Sequence, residues 1–532
     1  MAAIITQKFR VHNAKQFKED FGEAASSTYI FIGRSNPWTD DTAPPTPNNG
    51  IGEEIDAWND MIALKKVGSA DVSHGIKRYD WTTNTKYSEY QHDVSSSNVA
   101  TGTDASTNLY ASKFYVMTDE YNVYKCIRTG RATGGTTVAS TVKPTGTSAT
   151  DLVETADTGA TLFGYLWKYM YTISASDTIK FVTNDFIPVK TLGAQTEIDG
   201  TGTSGGLNSS AADDGSAQHD VETQAVDGAV DHVVVTAGGS GYTNGTYPNV
   251  VVDGDGSGAK VIITASGGAI TKIVMEGTVA EHGSGYTNGT YPNVVVDGDG
   301  SGAKVIITAS GGAITKIVME GTVAEHGSGY TKASIDIEGA VSRSGGSAAS
   351  AKVIISPKIG HGADPVQELG GNYVIVNSRL EFAEGSGDFP IDNDFRRIGL
   401  IQDPFSTGTT LATAPTLSAY NKLTCTSVSG LAVDDTISSV SGGVGDAVAV
   451  AKIVSITGSV ISYITQVNTG GEYVNFANSN TVFEGTTNVG TASSVTAPEV
   501  VANSGQIMYI ENRGAVTRAS DQIEDIKLII EM

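Results

Sequence analysis

Residues 239–282 and 283–326 are identical at all 44 positions. Each copy opens Gly-Ser-Gly-Tyr-Thr and runs through Asn-Gly, Asp-Gly and Gly-Gly pairs set between short Val/Ile runs. Those pairs are turn signals, so one copy offers three or four short strands. A unit that small buries little apolar surface alone, so neighbouring copies are expected to pack or to exchange strands. A third, degraded copy starts at Gly327, and Ala-Lys-Val-Ile-Ile recurs from 259, 303 and 351, the last step being four residues longer. A half copy, Gly228-Ala-Val-Asp-His-Val-Val-Val235, precedes the array. Identity at every position implies recent duplication, and hence an array that tolerates changes of length as an exposed insertion does.

The array also explains the composition. Residues 192–371 are 180 of 532, yet they hold 35 of the 63 glycines and 20 acids against 8 bases, half of the net charge of −24. Bulk acidity argues against binding a phosphate backbone and fits an exposed array kept soluble by its charge. Val, Ile, Tyr and Phe are spread along the chain, so it does not read as disordered. A chain of this length predicts several domains. No apolar run approaches the roughly 18 residues of a spanning helix. The first ten residues offer no apolar stretch with a cleavage site, so no secretory leader is expected. Two cysteines, Cys126 and Cys425, support neither a disulfide framework nor a cysteine zinc site and read as small buried apolar residues.

The N-terminal region reads as mixed. A helix is expected over 13–25, capped by Asn13 with Gln16 as partner and with Phe17 and Phe21 on one face. A second is expected over 52–66, with Glu53, Glu54 and Asp56 at its start, Lys65 and Lys66 at its end, and Ile55, Trp58, Met61 and Ile62 as its stripe. Strands follow. A hairpin is expected over 112–128, and 163–173 alternates with Tyr165, Trp167, Tyr169 and Tyr171 on one face. That face is either half of a sandwich core or a subunit interface. The pattern of Ala451-Lys-Ile-Val…Gly470-Gly-Glu-Tyr473 follows the repeat at shorter spacing. Residues 506–510 and 526–530 read as two closing strands around a turn at Asn512-Arg-Gly514. The fold class is therefore mainly β (α+β): β-sandwich-like core domains with two N-terminal helices, plus inserted small β-repeat domains.

The inventory of chemistry is poor. Asp253-Gly-Asp-Gly-Ser-Gly258, repeated at 297–302, matches the first half of a calcium loop, but the twelfth position is Thr264 or Thr308 and not Glu. An Asp-Gly turn is the simpler reading, and calcium at Asp253/Asp255 and Asp297/Asp299 stays open. Gly202-Thr-Ser-Gly-Gly206 satisfies G-x-S-x-G without the strand before it or the helix after it that a nucleophile elbow needs. The eight histidines show no metal-ligand spacing, and no phosphate loop occurs. No enzyme, no cofactor and no metal site is expected.

Several segments carry a resemblance. They are Phe31-Ile-Gly-Arg-Ser-Asn-Pro-Trp38 with Ala43-Pro-Pro-Thr-Pro47, Trp58-Asn-Asp-Met61, and Ile76-Lys-Arg-Tyr-Asp-Trp81. Val123-Tyr-Lys-Cys126, Gly164-Tyr-Leu-Trp-Lys-Tyr169 and Met508-Tyr-Ile-Glu-Asn-Arg513 complete the series. In this order they resemble the baseplate wedge subunits of T-even-like contractile-tailed phages, the products of gene eight. The resemblance covers about 1–191, 372–404 and 504–532, and the Gly-Ser-Gly-Tyr-Thr units resemble β-repeats of marine-phage structural proteins.

The domain plan that follows is a wedge-like α+β region at 1–191, a Gly/Ser-rich linker at 192–237 and the repeat array at 238–371. A return to the core at 372–404, a second inserted β domain at 405–503 and closing strands at 504–532 complete it. The resemblance implies a structural virion component of the tail baseplate, assembled in the host cytoplasm. It implies a protein that dimerises within each wedge, binds other wedge proteins and takes part in the rearrangement that triggers contraction. No nucleic acid and no membrane insertion are expected. An adhesin or glycan-binding protein is the alternative, with host-surface glycan meeting the repeats. Candidate interface residues are Arg34, Trp38, Pro44 and Pro45 on a stiff loop; Lys77, Arg78 and Trp81 as an arginine–aromatic hot spot; Tyr165, Trp167 and Tyr169; and Arg513 and Arg518 near the C-terminus.

Overall fold

The computed structural model describes residues 3–97, 102, 106–132, 136–148, 152–190, 230–237, 245–251, 255–257, 260–266, 269–275, 291–295, 297–310, 313–319, 326–328, 330–334, 350–357, 360–380, 394–516 and 524–532. Of the linker expected over 192–237, residues 192–229 lie outside them and Val230–Ala237 is a strand; Asp253 and Arg518 also lie outside them. The described chain is mainly β with few helices. It divides into two compact units, residues 1–12 with 74–373 and residues 13–73 with 374–532.

The first unit is built on an antiparallel sheet of four strands in the order Tyr115–Met117, Asn122–Arg128, Leu166–Thr172, Leu152–Glu154. Both faces are buried. One packs Tyr87, Val116, Tyr124, Cys126, Tyr165 and Trp167. The other packs Phe114, Tyr115, Met117, Val123, Met170 and Tyr171 against Ile187, Ile354, Val366 and Leu369. The four aromatics at 165–171 therefore do not share one face. A register shift between Val123 and Tyr124 puts an extra residue into the facing strand, and Tyr171 turns to the second core. Gly164 lets this strand pass Thr155, whose carbonyl oxygen would lie 1.5 Å from any Cβ there.

The strand Val230–Ala237 and the repeat strands also belong to this unit. Lys260–Ser266 pairs antiparallel with Ala269–Met275, and Asp297–Ser310 pairs in the same way with Ala313–Met319. The two hairpins meet through parallel pairing of identical residues, Ala269 with Ala313 and Lys272 with Lys316.

The second unit holds a five-stranded sheet in the order Thr416–Ser418, Met61–Lys66, Thr28–Gly33, Phe395–Gln402, Gln506–Val516. Thr28–Gly33 is buried along its whole length. Its alternation sends Tyr29 and Phe31 into one core, with Trp58, Leu64 and Ile401. Ile30 and Ile32 go into another, with Ile398, Leu400, Val374 and Leu528. Gly399 is required where the strands cross Phe31, since a Cβ would lie 2.3 Å from that ring. Six strands within 421–496 close a barrel around Leu423, Ile437, Ile453, Ile461, Tyr463 and Val482. The repeat-like segment noted at 451–473 contributes its hairpin, Val450–Thr457 with Val460–Gln466.

Three sequence expectations are corrected. The first helix runs Gln7–Asp20, with Asn13 in its middle and Thr6 Oγ1 accepting from the Phe9 N–H at its start. The second runs Ile51–Asp60 and passes directly into the strand Met61–Lys66. An apolar run buried on both faces carries no alternation, so periodicity does not separate it from a buried helix. Asn512-Arg-Gly514 is not a turn but part of Gln506–Val516, and Glu524–Glu531 lies in a different sheet, beside Tyr373–Leu380.

A candidate protein interface at an arginine–tryptophan loop

In the second unit, the loop 34–50 leaves the buried strand Thr28–Gly33 and returns into the helix Ile51–Asp60. Gly33 permits that close return, since a Cβ there would lie 2.8 Å from the Asp60 carbonyl oxygen. Arg34 follows at φ +59°, in the left-handed region that side chains rarely adopt. Its N–H donates to the Asp60 carbonyl (2.8 Å) and its Nη1 to Asp60 Oδ2 (3.1 Å). This turn lays the guanidinium over the Trp38 ring, 3.7 Å from the centroid.

Trp38 is held from two further sides. Its Nε1–H donates to the Arg513 carbonyl (2.9 Å) and its backbone N–H to Asp41 Oδ1 (2.8 Å). Asp41 in turn accepts from Arg396 Nε (3.0 Å) and Nη2 (2.9 Å), and Arg396 Nη1 donates to the Ser35 carbonyl (2.8 Å). That paired donation holds the Asp41 carboxyl below its usual range.

Arg397 extends the network. Its Nη2 donates to Glu53 Oε1 (2.6 Å) and its Nε to Asn512 Oδ1 (3.0 Å), with Asp60 Oδ2 at 3.7 Å from Nη1. Asn512 Nδ2 then donates to the Pro45 carbonyl (3.1 Å). Burial raises the Asp60 carboxyl, and the charges of Arg34 and Arg397 oppose that rise. Burial lowers Arg397, and Asp60 and Glu53 oppose it.

The network fastens the loop from beneath. Trp38 and Pro44 are half-buried, and Pro37, Thr39, Asp40, Ala43, Pro45 and Thr46 face solvent. A loop already ordered loses little entropy when a partner docks.

The candidate residues separate as follows. Arg34, Trp38, Pro44, Pro45 and Arg513 come together here. Lys77, Arg78 and Trp81 lie in the first unit. There Arg78 pairs with Asp80 (2.9 Å) and donates to the Thr183 carbonyl (2.9 Å), Trp81 Nε1 donates to Ser140 Oγ (3.2 Å), and Lys77 is exposed. Asp80 raises the Arg78 guanidinium. Tyr165 and Trp167 have no exposed surface, which removes them from any partner's reach, and Tyr169 is half-buried beside them. Their core is closed by hydrogen bonds as well as packing, with Tyr165 OH donating to the Val138 carbonyl (2.8 Å).

Arg396, Arg397, Asp41, Glu53 and Asp60 were not among the candidate interface residues. The available signal was Arg396-Arg397 directly before Ile398-Gly-Leu-Ile401, two charges on a strand that reads as buried. Among the described residues, no group of three His, Cys, Asp or Glu could hold a metal ion, and no helix is long and apolar enough to cross a membrane.

Two comparisons bear on this unit and on the first. The phage family described as Bacteriophage T4, Gp8 matches residues 3–143, which include the loop, the helix Ile51–Asp60 and the hairpin 115–128. The chain is also 27% identical over 209 residues to the baseplate wedge protein gp8 of Enterobacteria phage T4. That alignment takes in 35% of this chain and spans 60% of the T4 protein's length.

Proposed function

We propose that this chain is a structural subunit of a contractile phage tail baseplate wedge. It works by binding rather than catalysis, is carried in the virion, and docks neighbouring wedge subunits through the Arg34–Trp38 loop. Two copies pair within a wedge and move with the rearrangement that triggers contraction. The observation that carries this reading is the family match over 3–143, which contains the loop. Three features of the loop support its role: an aromatic–arginine anchor, a proline-stiffened exposed rim and a backbone fastened before any partner arrives.

The test mixes purified chain with the other baseplate proteins of the same phage and measures co-sedimentation. Wild-type chain is expected to enter a complex. Trp38→Ala is expected to weaken it by at least about 2 kcal/mol, the size of an interface hot spot, while the isolated chain stays folded. A chain that joins no baseplate protein, or that hydrolyses host-surface glycan, overturns the reading.

A further inference from the structure

The two ends of the repeat array pair with each other. Val230–Ala237, in front of the array, runs antiparallel to Ser350–Ile355 behind it, with Lys352 opposite Val234, Val353 opposite Val233 and Ile354 opposite His232. Both strands are repeat fragments. Gly228-Ala-Val-Asp-His-Val-Val-Val235 corresponds to Gly268-Ala-Ile-Thr-Lys-Ile-Val-Met275, the second strand of a whole hairpin. Ala351-Lys-Val-Ile-Ile355 corresponds to Ala259-Lys-Val-Ile-Ile263, the first strand. The ends therefore rebuild one hairpin of the type that each intact copy forms locally, with its strands supplied in reverse chain order. The register is slid by two residues. In the intact copy Val261 faces Met275, whereas its counterpart Val353 faces Val233 and not Val235. A slip of two preserves the parity of the pairing, as a slip of one would not.

This rebuilt hairpin is also where the array meets the body of its unit. Lys352 Nζ donates to Gln91 Oε1 (2.8 Å) and forms an ion pair with Asp93. The Ile355 N–H donates to His92 Nδ1 (3.2 Å). Val233, Val353, Ile354 and Ile355 are all buried, and Ile354 joins the core that holds Phe114 and Tyr171. The two whole hairpins meet each other through the in-register pairing of Ala269–Met275 with Ala313–Met319, and both of these strands also lie close to Val230–Ala237.

We propose that the repeat array is a clasped cassette. One split hairpin, made by Val230–Ala237 and Ser350–Ile355, closes the array and fastens it to the body. Whole 44-residue units are inserts between its two halves. Copy number then changes the reach of the array and leaves its attachment untouched. Loop closure supports this, because its entropy depends only on the logarithm of loop length. A whole unit also brings its own hairpin partner, so removing one leaves no strand of the clasp unpaired. The inference rests on pairing within this chain and is independent of the baseplate reading.

The test uses the full chain and a chain lacking 283–326. In both, Val233→Cys with Val353→Cys is expected to cross-link without reductant, so that the fragments stay joined after proteolysis between the two positions. Amide exchange gives a second readout, because peptides over 230–237, and peptides running from 350–355 into Ser356-Pro357, differ in sequence from those of the copies. Protection of these strands is expected to agree within about threefold between the two chains, and Val233→Pro is expected to raise exchange at 350–355 by about 100-fold or more, with the barrel strands at 421–496 as the unchanged control. Loss of the cross-link or of clasp protection when 283–326 is removed overturns the proposal. So does exchange at 350–355 that ignores Val233→Pro.

Discussion

The five-stranded sheet of the second unit and the repeat array of the first are both antiparallel β-structure for the most part, and they are assembled in opposite ways. In the sheet, Thr28–Gly33 lies between Met61–Lys66 and Phe395–Gln402, and the latter pairs onward with Gln506–Val516. Thr28–Gly33 and Phe395–Gln402 are joined across more than 350 residues of chain, and Phe395–Gln402 carries a network in which Arg396 and Arg397 reach back to Asp41 and Glu53. In the array, each hairpin is local, the two copies pair with each other one repeat apart, and the clasp joins the two ends of the array. The sheet cannot lose a strand without losing its core. The array can lose a unit and keep its closure. The difference makes the region that carries the candidate interface intolerant of changes of length and the repeat array tolerant of them.

The largest expected effect breaks the sheet side of this comparison. Arg397 is 2% exposed and faces Glu53 and Asp60. Arg397→Ala takes the arginine from Glu53 and leaves Asp60 with Arg34, and is expected to cost about 3 kcal/mol or more in denaturant unfolding. A loss under about 1 kcal/mol would mean that the charges are solvated and the network is decoration. Next comes Gly399→Ala, which forces a Cβ against Phe31 and the Tyr509 carbonyl. Overpacking of this kind is expected to cost about 1–3 kcal/mol, read as a lower midpoint at unchanged slope.

A smaller effect, at the clasp, depends on pH. Burial holds the His92 imidazole below its ordinary value of 6.5, Lys352 adds to the fall, and Asp93 opposes it. The folded state therefore keeps His92 neutral, with Nδ1 free to accept from Ile355. As pH falls below about 6.5 the unfolded chain takes up the proton first. The contribution is present above that pH and is lost progressively between the ordinary value and the lowered one. Exchange at 350–355 is expected to quicken across that window, and His92→Phe is expected to flatten the profile. The smallest effect is the removal of 283–326, which takes out less than half of the chain between Ala237 and Ser350. A doubling of loop length is worth about 0.6 kcal/mol, so unfolding of the second unit should not change and clasp stability should change by less than that.

What was legible in the sequence followed the same division. The repeat, its half copy before the array and its degraded copy after it were visible because residue identity needs no knowledge of the chain path. That the fragments at 228–235 and 351–355 meet was not visible, since nothing local says which ends return to one another. The loop residues Arg34, Trp38, Pro44 and Pro45 stood out as unusual neighbours. Their support did not, because Arg396 and Arg397 are more than 300 residues from the acids they bind. Met61–Lys66 was read as helix and Tyr165, Trp167 and Tyr169 were offered as a possible subunit surface for a related reason. Strands buried on both faces show neither the alternation of a half-exposed strand nor any mark that separates core from interface.

The central claim is that the chain sits in the tail baseplate and is held there by an ordered loop. Electron cryotomography of phage particles carrying a tagged chain tests it most directly. The account predicts tag density repeated around the baseplate, lost together with assembled tails when the gene is deleted. Density confined to fibre tips or to the capsid, with baseplates intact after deletion, would contradict it.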